Sequence, residues 1–473
     1  MKSIIQQRAA FIILICVSIS FAACKKSKPE PGPTPSGDKL ITAFSFPQAN
    51  NAGYISADVP GAVGTDTIKI VLPQETNRSA LKPTITFTGK TVSPASGTAQ
   101  NFSSPVNYTV TAEDGSTKSY TVVVVYKSMV YISNIYGSMY AIDGITGQEV
   151  WKVTNGKFHD GTPSVNYGMV FSCGVDGMYA LDQKTGAQKW KFPITATYTN
   201  TLWAPSPVVV NNTVYFSAWD GFVYALNAAD GSLSWKTAST GGNAFYANVT
   251  LNGNLLYAGC ADKYLYAINA STGAISWKFL TGDVIYKNPL VVNGNVFTGG
   301  LNGLQYMLNG LTGAVIWSAP NDFTTSSATY DNGVIYSGGG RKADGLDVNT
   351  GAQVWSLLIG IPGGGTYNEK SSPVILNGKF YSGSNDGSFY AYTISTKAQI
   401  WSYLTNGYGV MSSPVIADGI YYIGSLGQDI YAVDVATGTL KWRVNTLSAV
   451  FGSACVIDQN GVKHYPGISG EQN

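Results

Sequence analysis

The sequence predicts an all-β chain: an eight-bladed β-propeller preceded by a small Ig-like β-sandwich. Three observations carry that prediction. Charged residues are 12% of the 473 residues and glycine accounts for 54 of them, where about 25% charge and about 7% glycine are usual. Thirty Tyr, 18 Phe and 10 Trp accompany them, a composition that suits short strands joined by tight turns. Eight tryptophans (Trp151, Trp190, Trp235, Trp277, Trp317, Trp355, Trp401 and Trp442) recur at spacings of 38 to 46 residues, the period of a four-stranded blade.

The same composition excludes several classes. Disorder needs few aromatics and a high net charge. A basic nucleic-acid face needs surplus Lys and Arg, but here the balance is 29 against 27, and Lys2 and Arg8 lie in a segment expected to be removed. No nucleic-acid partner is therefore expected. Two histidines leave little material for a His-based triad or a multi-His metal site, and no metal site is expected.

Residues 1–23 read as a lipoprotein signal peptide. Lys2 and Arg8 start it, and Ala9 to Ala23 is uncharged, mostly apolar and short for a bilayer span. Phe21-Ala22-Ala23-Cys24 resembles a bacterial lipobox, although Phe21 departs from the usual Leu; the resemblance implies cleavage before Cys24 and its acylation. Residues 24–37 form a lipid-anchored linker. Pro29, Pro31, Pro33 and Pro35 alternate there, giving an extended spacer of roughly 40 Å. Lys25 stands where an inner-membrane retention signal would carry Asp, so the expected location is the outer membrane, on its periplasmic or its surface face. Cys173, Cys260 and Cys455 are far apart and read as separate buried thiols.

Residues 38–127 carry the sandwich. Thr67–Val71, Thr84–Phe87, Tyr108–Thr111 and Tyr120–Val124 alternate in polarity between turn signals such as Asp114-Gly115. The stretch from Val106 to Gly115 resembles Ig-like modules at the base of envelope lipoproteins, which serve as spacers.

Residues 128–473 carry the propeller. Each unit reads as Ser-Pro-Val-Val (strand A), Val-Tyr-x-x (B), Tyr-Ala-Leu-Asp (C) and Thr-Gly-x-x-x-Trp-Lys (D). Asp-Gly or Asn-Gly between B and C (176–177, 220–221, 302–303, 386–387) is expected to make a tight hairpin with positive φ at both residues. Thr-Gly before D supplies a left-handed turn residue, and the Trp is a plate for the gap between blades. Blade 1 has no A strand before Val130, while an extra one, Ser453–Ile457, stands at the C-terminus, so the last strand is expected to close the ring.

The Ala/Tyr…Asp…Thr-Gly-x-x-x-Trp pattern resembles the tryptophan-docking repeat of the quinoprotein (PQQ-type) propellers over about 128–458. That family holds PQQ-dependent dehydrogenases and non-catalytic members, notably BamB-like outer-membrane assembly lipoproteins. The enzymes need a divalent cation, a catalytic carboxylate, an Arg and a stacking partner for the quinone; many carry adjacent cysteines, which this chain lacks. Glu369, Asn368 and Arg341 are the only remnants of such a set, so no cofactor is expected, neither PQQ nor Ca²⁺.

Two connections are long, 190–207 and 355–373, and leave opposite blades. The first carries Tyr198 and Trp203, the second Tyr367, Glu369 and Lys370. With Arg341 and Lys342 of blade 6 these form the candidate ligand or partner patch. Lys397 takes the place of the turn glycine in blade 7. His159-Asp160 could pair a base with its orienter, but adjacent strand residues are expected to point apart, and no catalytic residue is assigned. The expected function is a non-catalytic envelope lipoprotein whose propeller binds or scaffolds a protein partner, such as an outer-membrane β-barrel. The alternatives are a PQQ/Ca-dependent dehydrogenase and a surface carbohydrate-binding protein, with a glycan stacked on Trp203 and Tyr198.

Overall fold

The computed structural model describes residues 32–194, 205–238, 240–241, 243–320, 326–339, 342–360 and 371–466. Alternation builds the first part. Ile68, Ile70 and Leu72 point inward from Thr67–Leu72, with Thr67, Lys69 and Val71 outward. This strand runs parallel to Thr117–Tyr126 in a five-stranded sheet. A three-stranded sheet, built on Ile41–Phe46, faces it, and Phe44, Phe46, Phe102 and Tyr108 pack edge to face between them.

Eight further sheets follow, each of four strands in order A-B-C-D, apart from one with a fifth strand. Blade 1 takes strands B to D from Met129–Ser133, Ser138–Asp143 and Glu149–Thr154, and its A strand is Cys455–Ile457 from the far end of the chain. The expected closure is present: Val456 pairs with Val130. Each sheet stands with its inner edge toward the axis and buries both faces against its neighbours. Phe216 and Leu226, for example, pack with Phe171 and Met178 of blade 2, while Tyr215 and Val223 pack with Leu256 and Ile268 of blade 4. Few charges are compatible with two buried faces per strand, and that is the physical reason for the low charge.

The docking tryptophans join successive blades. Every Nε1–H donates to a carbonyl of the next blade, from Trp151 to Gln183 at 3.0 Å through to Trp442 to Gly144 at 2.8 Å. In seven blades the turn glycine before strand D lies flat on the preceding blade's indole. A Cβ there would stand 2.5–2.8 Å from a ring carbon, and φ is +72 to +74°. Lys397 holds that place in blade 7 at φ +58°. The Trp355 ring is also the one turned differently, at 78° to Tyr336, where the other seven make 41–52° with their strand-B aromatic.

The hairpin assignment needs correction. At these four B–C turns only the glycine has positive φ; Asp176, Asp220, Asn302 and Asp386 do not. Their side chains instead brace the turn, as Asp220 does by accepting from Phe222 N–H and Tyr224 O–H. The two-residue turns with positive φ at both residues join A to B: Tyr167-Gly168, Asn211-Asn212, Asn293-Gly294, Asn332-Gly333, Asn377-Gly378 and Asp418-Gly419. The short A strand needs the sharp reversal, whereas the longer B–C connection can use side-chain bonds instead.

The sandwich abuts blade 1. Tyr126 N–H donates to Gln459 O at 2.7 Å, Lys69 Nζ to Gln459 Oε1 at 2.9 Å, and Gln74 Nε2 to Asp458 O at 3.2 Å.

Candidate functional site

The eight A strands surround an axial channel. The residue just before each strand's first apolar position is small and polar: Thr162, Ser206, Asn248, Asn288, Ser327, Ser372, Ser413 and Ser453. Each backbone N–H, from Thr162 to Ser413, donates to the side-chain oxygen of the next residue around the ring. The seven bonds measure 2.7–3.0 Å. A backbone N–H in this position would otherwise be left without a partner, and only a short polar side chain reaches back to it. Having accepted one bond, each hydroxyl or amide still has donor hydrogens to offer. The collar therefore presents neutral donors to the axis. Repetition of Ser, Thr or Asn before the strand-A proline was its sequence signal, and the sequence reading took that residue as part of strand A.

The collar opens on a mouth of about 130 Å³ that also includes Asp160, Tyr246, Tyr286, Met411 and Phe451. Tyr246 and Tyr286 are stacked, with centroids 4.9 Å apart and planes at 20°. Below lies a cavity of about 530 Å³ bounded by the A strands of blades 2 to 5, by Ser327 and Ala328 before that of blade 6, and by Gly461, Val462, Lys463, Tyr465 and Pro466, within the roughly 300–1,000 Å³ of ligand sites. The tail enters the channel itself. Lys463–His464 adds a fifth, innermost strand to blade 1, Lys463 Nζ donates to Asn166 Oδ1 at 2.9 Å, and burial pushes the Tyr465 hydroxyl far above the usual tyrosine range.

His159 and Asp160 do not point apart. They lie in a loop rather than a strand, and His159 Nδ1 sits 3.1 Å from Asp160 Oδ1. The imidazole stands edge-on to Trp219 at 6.4 Å. Of the candidate patch, Tyr198, Trp203, Arg341, Tyr367, Glu369 and Lys370 lie outside the described residues, as does Cys24. Lys342 begins strand C of blade 6, and its ammonium is 3.1 Å from the buried Asp344 carboxylate. Among the described residues no three His, Cys, Asp or Glu side chains gather as metal ligands. Cys173, Cys260 and Cys455 are buried and free, and burial pushes each thiol up to about 12.

A further polar group is buried where sequence gave no warning. Lys287, one residue before collar Asn288, is 2% exposed, and its ammonium bonds Gln305 Oε1 at 2.6 Å. Burial pulls its pKa down to about 7. The corresponding residue in blades 6, 7 and 8 is Ser326, Ser371 or Ser412, each bonded to the end of strand B.

A closed ring of eight sheets, each docked to the next by tryptophan, defines the class: a tryptophan-docked β-propeller. The chain belongs to the family described as outer membrane protein assembly factor BamB, whose model matches residues 88–245 and 220–444, about three quarters of the chain. Residues 41–124 match a second family, described as SGBP, N-terminal. The outer membrane protein assembly factor BamB of Moranella endobia is 25% identical over 238 residues, 45% of this chain and 60% of that protein. Tetrathionate hydrolase of Acidithiobacillus ferrooxidans is 27% identical over 179 residues, 37% of this chain and 32% of that protein. The chain thus spans less than two thirds of the length of these relatives. Among solved structures, BamB from Moraxella catarrhalis has a TM-score of 0.52 at 16% identity, covering 65% of this chain and 91% of its own. The computationally designed Ika8 protein has a TM-score of 0.53 at 15% identity, covering 65% and 97%. Both share the fold.

Proposed function

We propose that this chain is a lipid-anchored envelope protein whose propeller binds a protein partner in outer-membrane protein assembly, without catalysing a reaction. The family match over three quarters of the chain carries the reading. The chemistry of the channel supports it. A quinone enzyme needs several oxygen ligands for its cation and charged groups at the quinone. The described lining offers one carboxylate, Asp160, and no arginine, a donor set that does not fit PQQ with Ca²⁺. Acylation at Cys24 would hold the propeller at the outer membrane through the proline-rich linker.

Affinity purification of the tagged, full-length chain after crosslinking in envelopes tests the partner. An outer-membrane β-barrel protein is the expected product, and its absence overturns the assignment. The Cys24→Ser chain should leave the membrane fraction. A quinone absorbance that appears on adding PQQ and Ca²⁺, and is lost in Glu369→Ala, would instead establish the enzyme. Glycan-array binding lost in Trp203→Ala would establish carbohydrate recognition.

A further inference from the structure

The wall of the channel is backbone rather than side chain. Val291 shows why. Strand A of blade 5, Leu290–Val292, pairs Leu290 with Phe297, Val291 with Val296 and Val292 with Asn295 around the two-residue turn Asn293-Gly294. The pair flanking such a turn is hydrogen-bonded and the bonded pairs alternate. Leu290 and Val292 therefore use their N–H and C=O groups on strand B, and those of Val291 point to the axis. The side chains leave sideways: Leu290 and Val292 pack toward blade 6, Val291 toward blade 4. Leu251 has the same place in blade 4, where Thr250, Leu251 and Asn252 face Tyr257, Leu256 and Leu255.

Three of these central residues already have their axial groups engaged. Val456 pairs with His464 of the inserted tail strand. Val165 N–H donates to Tyr465 Oη at 3.5 Å, and Val209 O accepts from Asn166 Nδ2 at 3.1 Å. The tail thus adds a strand to blade 1 from inside the channel. Across the axis, among the described residues, strands A of blades 4 and 5 end their sheets without a further strand, and they border the 530 Å³ cavity.

We propose that the channel is a binding site for an extended polypeptide segment, which adds as a strand to the inner edges of blades 4 and 5 as the protein's own tail adds to blade 1. Main-chain pairing supplies the affinity in this mode. The wall turns its side chains away, so recognition tolerates many sequences. Lys463 is bonded to Asn166 and Asp160 to His159, which favours an uncharged segment. The collar's hydroxyl and amide hydrogens would meet carbonyls of the segment where it leaves the mouth. This deepens the reading of the propeller as a protein-binding scaffold and rests on it.

The test uses the full-length chain and an acetylated, amidated hexapeptide alternating Thr and Val, beside the same peptide N-methylated at every second residue. The unmodified peptide should slow amide exchange in segments 248–252 and 288–292 at least tenfold, and the N-methylated one should not. Leu251→Pro with Val291→Pro removes two axial donors outside the A–B ladder and should weaken binding at least tenfold. Equal binding of both peptides, protection confined to other segments, or no binding at millimolar peptide overturns the proposal. So does protection by maltohexaose in place of the peptide. The two readings fail separately. A captured β-barrel without peptide protection defeats the channel site alone, and peptide protection without a captured β-barrel defeats the assembly role alone.

Discussion

At the scale of single residues, the blade contacts depend on indole and glycine together. Trp190 donates to Ala228 O and lies against Gly231. Trp190→Phe keeps most of the apolar plate but loses the bond and leaves a buried carbonyl unmet, so stability should fall by about 1–3 kcal/mol in denaturant unfolding. Lys397→Gly should raise stability by about 1 kcal/mol, because a left-handed lysine is strained and glycine is not. Lys287 gives a pH dependence. Its folded pKa, about 7, lies below the unfolded value near 10.4, so the unfolded chain holds the extra proton between these limits. Stability should therefore rise from pH 7 toward pH 10. Lys287→Met should flatten that rise and stabilise the protein at pH 7, both measurable by thermal melts at several pH values. The tryptophans and Lys397 were legible in sequence because each departs from, or repeats, a local pattern. Lys287 was not, because its burial depends on packing between blades.

At the scale of elements, the strands were legible and their turns were half legible. The alternation of Thr67–Leu72 and the recurring Val-Tyr and Tyr-Ala runs fixed where strands lie. Asn-Gly at 293–294, 332–333 and 377–378 was the hairpin signal, but Asp-Gly between B and C drew the assignment because both dipeptides suit turns. The collar escaped notice because its bonds join residues 39–45 apart in sequence, such as Thr162 with Ser206. Ser413→Ala removes the bond that Ser372 N–H makes and should cost about 0.5–1.5 kcal/mol, with local faster exchange at Ser372. Removing residues from Ser453 onward deletes strand A of blade 1 and exposes strand B, and should lower the melting temperature of the whole propeller. An unchanged melt would contradict the closure.

At the scale of the molecule, the ring has no free end. The Trp442 bond to Gly144 and the pairing of Val456 with Val130 join the last blade to the first. Cys173, Cys260 and Cys455, buried in different blades, should react with a thiol reagent together, when the ring opens, rather than one by one; peptide mapping of the labelled protein checks this. The candidate site was the least legible level. Charge clusters pointed to Arg341, Glu369 and Lys370, which lie outside the described residues; the axial cavity is walled by main chain, which no residue type announces. Closure by the last strand also sets a timetable. Strand B of blade 1 precedes Cys455 by more than 300 residues of chain, so blade 1 is completed only after every other blade has been delivered. Until strand Cys455–Ile457 pairs with it, Val130 and Tyr131 hold an open sheet edge, the kind of edge that invites wrong pairing.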